Sequence, residues 1–241
     1  MNNVALFNES LKHYVNVGDI SLDELSRVGK RIGSHIESLK GIYRSYSNQE
    51  KRYEFEVKSF FGNDHEAIEA TFDFENDEII ISTSGVEVKL TQTLFLKYLN
   101  LIDLCFSKIL PIGSVIQLDV DMMPEAFRKS FGGSRESMFT ISGRKVSVQG
   151  KFGACYVDYV ARLFPMGESE LAQPFLISNL MVKQVIHEGF SNELEVAFAE
   201  NVLRQDVIHR KGRSLSFLLE DEVKAVEEAI LHMTNTTGET S

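Results

Sequence analysis

The spacing of apolar residues changes along the chain, and each change predicts a different kind of element. From Ser21 onward, apolar residues recur at steps of three and four, which predicts an amphipathic helix. Ser21 and Glu24 form a capping box at its start. From Arg52 the spacing changes to alternation, the pattern of strands with one face on a core and one face in water. The apolar positions of the helical run are Leu22, Leu25, Val28, Ile32, Ile36, Leu39 and Tyr43.

The alternating segment predicts an antiparallel meander over residues 52–90, followed by a helix that is apolar around most of its circumference. Such a helix is expected to be buried on more than one side. Pro111 and Gly113 end it, and they mark the predicted domain boundary. Between Glu66 and Glu78 the wet face of the meander is strongly acidic. We expect a solvated face there, with docking of a basic partner as the alternative.

The second half of the chain consists of short β-branched and aromatic runs separated by Gly and Pro, which predicts a second small antiparallel sheet. The overall prediction is an α+β fold of mostly antiparallel sheets with packing helices, in two small subdomains. The first, residues 1–107, holds a helix, the meander and the apolar helix; the second spans 108–234, and the polar tail 235–241 is expected to be disordered. The strands predicted after the boundary are 115–120, 138–141, 145–149, 154–163, 175–177 and 182–187, and the helices are 192–204 and 219–233.

The charge of the chain excludes several classes of partner. Its 241 residues carry a formal net charge of −10. A nucleic-acid binder or a protein that docks on anionic lipid would instead present a basic patch. The N-terminus lacks the basic and apolar regions of a secretory signal, and charges interrupt the most apolar stretch, Leu94–Leu110. We therefore expect a cytoplasmic protein that binds neither nucleic acid nor membrane.

No motif for catalysis or metal binding is evident. The six histidines are scattered without a zinc spacing, and no G-x-S-x-G sequence is present. Cys105 and Cys155 are not part of a C-x-x-C pair and are expected to be reduced core residues. We therefore expect no cofactor, no metal, no catalytic residue and no enzymatic activity.

Two sets of residues stand out as candidates for a role beyond the core. Arg144 and Asp158 lie inside predicted strands, where an isolated charge would cost several kcal/mol, so we expect them to form a structural ion pair. Large apolar residues in loops are candidate partner contacts. One group lies in the polar insert 122–137, which suits a recognition loop, and the other lies in the Phe164-Pro165-Met166 segment. These candidate contacts are Met122, Met123, Phe127, Phe131, Phe164 and Met166.

Four segments of the second half resemble one family. They are an L-P-I-G-S-V strand start, an I-S-G-R strand end, a Y-V-D-Y-V…L-F-P-M-G segment, and a V-x-x-x-x-x-x-G-F strand that leads into an acidic helix. In order and rough spacing they are similar to a domain of unknown function found in Gram-positive bacteria, next to genes for LXG toxins that the type VII secretion system exports. The chain departs from the family pattern at the insert 122–137 and at Val157. The matching segments are Leu110–Val115, Ile141–Arg144, Tyr156–Gly167 and Val182–Phe190, followed by Glu193 and Glu195.

The resemblance implies an intracellular accessory protein of toxin export. It predicts a non-enzymatic chaperone or adaptor whose partner is a specific LXG toxin, with the secretion machinery as a further candidate partner. The alternative is an immunity protein that binds and inhibits the toxin domain. A small hydrolase with an unrecognised site is the third class, since catalytic residues can converge only in the fold.

Overall fold

The computed structural model describes residues 2–15, 20–57, 66–123, 138–148, 154–168 and 174–226. The fold is α+β, with helices packed on mostly antiparallel sheets, as the sequence predicts. The chain forms two compact units, Met1–Ser107 and Lys108–Ser241. Among the described residues, no helix combines the length and the apolar character needed to cross a membrane. The predicted tail 235–241 and most of the insert 122–137 lie outside the described residues.

The first unit is a four-stranded meander with helices on one face. Its strands pair in the order β1-β2-β3-β4, all antiparallel. Buried and exposed residues alternate along these strands, so one face meets the helices and the other faces water. Its elements are α1 (Asn3–Tyr14), α2 (Leu22–Ser34), α3 (Ile36–Ser47), β1 (Arg52–Val57), β2 (Glu66–Asp73), β3 (Glu78–Thr83), β4 (Val86–Leu90) and α4 (Gln92–Phe106).

The helical run that starts at Ser21 is divided into two helices. The Ser21 hydroxyl accepts a hydrogen bond from the Glu24 backbone N–H, so the predicted N-cap is present. The pattern predicted one continuous helix to Tyr43, but α2 ends and α3 begins at His35, where φ is −132° and ψ is 72°. The residues just before the break include Gly33, whose low helix propensity makes an interruption there inexpensive.

Two glycines bring α2 into close contact with its neighbours. A Cβ atom at Gly29 would lie 2.3 Å from the Phe7 ring of α1, and one at Gly33 would lie 2.3 Å from the Phe106 ring of α4. Real Cβ atoms essentially never come this close to another heavy atom. The two glycines, four residues apart on α2, therefore allow close helix packing.

Helix α4 is buried on nearly all sides, as its apolar circumference predicted. Its buried polar residues form hydrogen bonds. The Tyr98 hydroxyl donates to the Leu25 carbonyl at 2.6 Å, and burial raises the pKa of Tyr98 well above its ordinary value. The Ser107 hydroxyl donates to the Asp103 carboxylate at 2.7 Å near the end of the helix. These bonds reduce the cost of burying polar groups on α4.

The second unit contains a six-stranded sheet in the order β10-β7-β6-β5-β9, with β8 paired to β7. All pairs are antiparallel except β10 with β7. A further helix begins at residue 220 and is described to 226. The elements are β5 (Val115–Leu118), β6 (Met138–Val148), β7 (Cys155–Leu163), β8 (Phe175–Ile177), β9 (Val182–His187), α5 (Glu193–Phe198), a π-helical segment (Ala199–Leu203), α6 (Arg204–His209) and β10 (Arg213–Ser214).

Strand β6 replaces two shorter strands predicted at 138–141 and 145–149. It runs without a break, with a shift in its pairing to β7 between Ile141 and Gly143 and a positive φ of 48° at Lys145. The glycine that suggested a strand end instead lies at a bulge, which bends a strand without ending it. Continuity places Arg144 and Lys145 in the middle of the sheet.

One face of this sheet forms the core of the second unit. The segment before β5 crosses that face, where the Leu110 backbone N–H donates to the Tyr159 hydroxyl at 3.1 Å. Both cysteines, Cys105 and Cys155, are buried and form no disulfide bond, as predicted. The buried residues of this core are Leu110, Ile116, Leu118, Met123, Phe139, Ile141, Tyr159, Ala161, Ile177 and Val182.

The close packing of α2 predicts that Gly29→Ala destabilises the protein. Overpacking costs about 1–3 kcal/mol, which exceeds the gain in helix propensity of at most about 1 kcal/mol. The measurement is urea unfolding, with Lys30→Ala in the same helix as the control, expected to change stability by less than about 0.5 kcal/mol. An unchanged or higher midpoint for Gly29→Ala would show that α1 and α2 can separate freely.

Candidate functional site

Strand β9 is an edge strand of the second sheet and is poorly covered. Only its first residue, Val182, is buried; the five that follow are exposed. The apolar side chains of Val185 and Ile186 are 42% and 49% exposed. An exposed apolar edge strand is the kind of surface that pairs with another chain.

The chain after β9 passes tightly over the turn that precedes β5. The Gly189 backbone N–H donates to the Ser114 hydroxyl at 3.0 Å, and a Cβ atom at Gly189 would lie 2.3 Å from the Ile112 carbonyl oxygen. Only glycine fits this crossing. Ile112 and Phe190 remain in water beside it, and Phe190 is 80% exposed.

Helix α5 follows, and none of its residues is buried. Asn192 caps it by accepting a hydrogen bond from the Glu195 backbone N–H at 2.9 Å. Leu194 is 77% exposed, and Val196, Phe198 and, in the π-helical segment, Val202 are also exposed. We call the exposed residues at this end of the unit the apolar end surface: Ile112, Phe190, Leu194, Val196, Phe198 and Val202.

An ion pair anchors α5 to the sheet. The buried Arg144 guanidinium donates to both carboxylate oxygens of Glu195, with an Nη2–Oε2 distance of 2.8 Å. Arg144 also donates to the Leu110 carbonyl at 3.4 Å, and its Cζ lies 5.8 Å from the centre of the Phe198 ring. The hydrogen bonds from Arg144 lower the pKa of Glu195 below its ordinary value of 4.5.

A second polar cluster surrounds Asp158, which is 1% exposed. Its carboxylate accepts hydrogen bonds from Lys145 Nζ at 2.7 Å, from Ser214 Oγ at 2.6 Å and from the Asn179 backbone N–H at 3.2 Å. The Lys145 ammonium lies 4.9 Å from the centre of the Tyr156 ring. The cluster is closed to solvent and its charges are hydrogen-bonded to each other, so it stabilises strand pairing.

The predicted ion pair between Arg144 and Asp158 is wrong, because each has another partner. The pairing of β6 with β7 places Tyr159 opposite Arg144, whereas Asp158 falls opposite Lys145. Neighbouring residues on a strand point to opposite faces, so Arg144 and Asp158 lie on different sides of the sheet. Each forms a buried or half-buried ion pair, with Glu195 and Lys145 respectively.

The predicted contact residues are divided among several environments. Met123 is 7% exposed and packs in the core, so the expectation that it is exposed is wrong; Met122 is half-buried. Phe164 and Met166 are exposed at 41% and 60%, and their role as contacts stays a prediction. The last two, Phe127 and Phe131, lie outside the described residues.

The most exposed large apolar residues of the structure were not predicted to be exposed. The sequence predicted a helix over 192–204, but not that its apolar residues face water. The sequence contains part of the evidence for a distinct apolar side of this helix: Leu194, Phe198 and Val202 are spaced by four, while acidic residues occupy positions between them.

The described residues were also searched for groups that could support chemistry. Among them, no three His, Cys, Asp or Glu side chains are grouped to hold a metal. Burial raises the pKa of the Cys155 thiol, which makes it a poor nucleophile.

We expect Glu195→Gln to destabilise the protein by about 1–3 kcal/mol at pH 7, because the buried Arg144 loses its carboxylate. Glu195 has a lowered pKa in the folded state, so its contribution is present above pH 4.5 and is lost as the pH falls through the folded pKa. The difference between the two proteins should therefore shrink at lower pH. Urea unfolding measures this difference in the free energy of unfolding. The rate of amide hydrogen exchange of residues 193–198 should also rise in the variant.

The matched control is Glu193→Gln in the same helix. Glu193 is exposed and has no ion pair among the described residues, so its loss should cost only a few tenths of a kcal/mol up to about 1 kcal/mol. Equal effects of the two substitutions at every pH would contradict the anchoring role of Arg144.

Comparison with known proteins adds one finding. No curated protein and no solved structure matches the chain significantly. The second unit does match a family model, and the match extends from the segment before β5 to the end of α5, so it includes both ion pairs and most of the apolar end surface. Residues 109–198 are similar to a domain of unknown function, DUF4176.

Proposed function

We propose that the protein is a non-enzymatic binding protein that holds another polypeptide on the apolar end surface and the adjoining β9 edge. The partner is a specific LXG toxin, and the protein acts in the cytoplasm as a chaperone or adaptor that covers the toxin until the type VII secretion system exports it. The exposed apolar residues of α5 carry this proposal.

The apolar end surface is difficult to explain by folding alone. A surface helix normally turns its apolar stripe toward the core, yet α5 buries no residue and exposes three large apolar ones. Leu194, Phe198 and Val202 recur at steps of four and so lie on one side of the helical segment, and an exposed apolar patch of this kind typically marks a binding site. The ion pair between Arg144 and Glu195 holds α5 in this orientation at the expense of burial. A partner that covers the surface would supply the missing burial.

The edge strand β9 supports the same conclusion. Natural sheets protect their edges with charges, prolines or bulges. Lys183 provides a charge on β9, and the pairing with β5 shifts register twice, so the edge is partly protected. Val185 and Ile186 still offer apolar side chains to an incoming strand. Strand addition at such an edge gives affinity through backbone hydrogen bonds, and side chains set specificity.

The identity of the partner rests on the sequence resemblance. The segments that resemble the LXG-associated family lie within or directly beside residues 109–198, which match a domain of unknown function. The acidic net charge favours a polypeptide partner over nucleic acid or an anionic membrane. The secretion machinery is a further partner that the complex would meet at export.

We expect Leu194→Asp to weaken capture of the toxin encoded beside this gene by about tenfold or more, because a charge enters the centre of an apolar contact. The measurement is co-expression followed by pull-down. Leu22→Asp is the control, since Leu22 is also exposed in the first turn of a helix, where Asp is well tolerated. If Leu194→Asp captures the toxin as well as the wild-type chain does, the apolar end surface is not the binding site.

The cellular role is tested by deleting the gene and measuring the secreted toxin. A chaperone or adaptor predicts loss of export, restored by the wild-type chain and not by Leu194→Asp. Normal export from the deletion strain would show that the protein has no helper role.

The outer face of the first sheet favours a second candidate function, an immunity protein. Carboxylates outnumber cations on this face, so it would attract a basic toxin domain quickly and with strong salt dependence. An immunity protein rescues cells that express the toxin domain inside, whereas an export helper need not. The charged residues of the face are Glu54, Glu56, Glu69, Asp73, Glu78 and Glu87 against Arg52 and Lys89.

A further inference from the structure

Strand β1 is an open edge of the first sheet. It pairs with β2 on one side, and within the described part of the chain no strand pairs with its other side. Its helix-facing residues, Tyr53, Phe55 and Val57, are only half-buried. At the opposite edge of the same sheet, Val88 and Leu90 of β4 are 2% exposed. The edge position alone therefore does not explain why β1 is poorly covered.

Backbone groups at alternate residues of β1 point away from the sheet. The Phe72 backbone N–H donates to the carbonyl of Lys51, the residue directly opposite, at 3.0 Å. In an antiparallel pair of strands, opposite residues that are hydrogen-bonded alternate with opposite residues that are not. The register of β1 with β2 has no shift, so the N–H and C=O groups of Arg52, Glu54 and Glu56 face the open side. These are the groups to which another strand adds.

The side chains of β1 are complementary to a second copy of β1 in one register. Opposite residues of a sheet share a face, so the two-fold axis of an antiparallel pair passes a residue that lies opposite its own copy. With Glu54 at the axis, Arg52 of each chain lies opposite Glu56 of the other. On the helix-facing side, Tyr53 lies opposite Phe55, which forms an aromatic cross-strand pair in each half.

The neighbouring registers bring more like charges together. An axis at Phe55 would place Glu54 opposite Glu56 in both halves of the pair. An axis at Tyr53 would place Glu56 opposite Glu50, which precedes the strand, again in both halves. Like charges that lie directly opposite each other destabilise a sheet. The register centred on Glu54 limits this repulsion to Glu54 and its own copy.

We propose that the protein forms a two-fold symmetric dimer through β1, in which two four-stranded sheets join into one continuous sheet. Arg52 of each chain pairs with Glu56 of the other, and Glu54 exchanges both backbone hydrogen bonds with its copy. Glu56 is exposed and has no ion pair within the described residues, so it gains a partner. The interface lies in the first unit, outside residues 109–198, and does not depend on the proposed binding of a toxin.

Glu54 makes the strength of the dimer depend on charge. The two copies of Glu54 repel each other across the axis, and Arg52, which donates to Glu54 at 3.3 Å, offsets part of this repulsion. Glu54→Gln removes the repulsion and keeps the backbone pairing. We expect this variant to dimerise about threefold more tightly than the wild-type chain. A weaker dimer would show that Glu54 does not lie at the axis.

The test uses the full chain without a partner, and sedimentation velocity over a range of concentrations measures its oligomeric state. We expect a monomer that converts to a dimer as the concentration rises. A wild-type chain that remains monomeric at its highest soluble concentration would overturn the proposal.

Charge reversal tests the register. Arg52→Glu and Glu56→Arg each place like charges opposite each other in both halves of the dimer, so each should weaken it by about tenfold or more. An equimolar mixture of the two variants restores both ion pairs and should form a mixed dimer at a concentration where neither variant dimerises alone. A mixture that stays monomeric would overturn the proposal, as would single variants that dimerise like the wild-type chain. Far-UV circular dichroism verifies that each variant is folded.

Two controls distinguish β1 from other surfaces. Lys89→Glu makes the same change of charge as Arg52→Glu on the other edge strand, β4, where Lys89 pairs with Glu78. Leu194→Asp alters the apolar end surface of the second unit. Both variants should dimerise like the wild-type chain. A dimer that is lost in Leu194→Asp and kept in Arg52→Glu would place the interface on the second unit and overturn the proposal.

Discussion

The buried carboxylate of Asp158 is the interaction on which the second unit depends. It accepts hydrogen bonds from Lys145 on β6, from Ser214 on β10 and from the backbone after β8, so three neighbours of β7 meet at one charge. A buried charge is stable only while its partners are in place, because removing any one leaves it uncompensated in a low-dielectric interior. The order of strands around β7 and the position of Arg144, one residue along β6, follow from this cluster.

Arg144 in turn fixes the position of a helix at the surface. Its side chain lies on the other face of the sheet from Asp158, where it holds Glu195 and thereby the orientation of α5. An apolar helix would otherwise rotate to bury its larger side chains. The second unit therefore exposes the apolar end surface, whereas the outer face of the first sheet carries mostly carboxylates.

Local patterns in the sequence predicted most elements but few of the contacts. The N-cap at Ser21, the alternation from Arg52 and the strands near 175–177 and 182–187 are set by neighbours in the chain, so they were predictable. The partner of Arg144 was not, because it depends on the register of β6 against β7 after a bulge. Burial of Met123 and exposure of Leu194 also depend on long-range packing, which the spacing of apolar residues does not reveal.

The π-helical segment has a geometric consequence for the stripe formed by Leu194, Phe198 and Val202. In a regular α-helix with 3.6 residues per turn, each step of four residues drifts about 40° around the axis. Leu194 and Phe198 lie in the regular helix and keep this offset. The wider turn of Ala199–Leu203, with bonds to the fifth residue, holds more residues than a regular turn and so opposes the same drift between Phe198 and Val202. The three side chains therefore stay on one side of the helical segment, while Ala199 and Arg204 are buried.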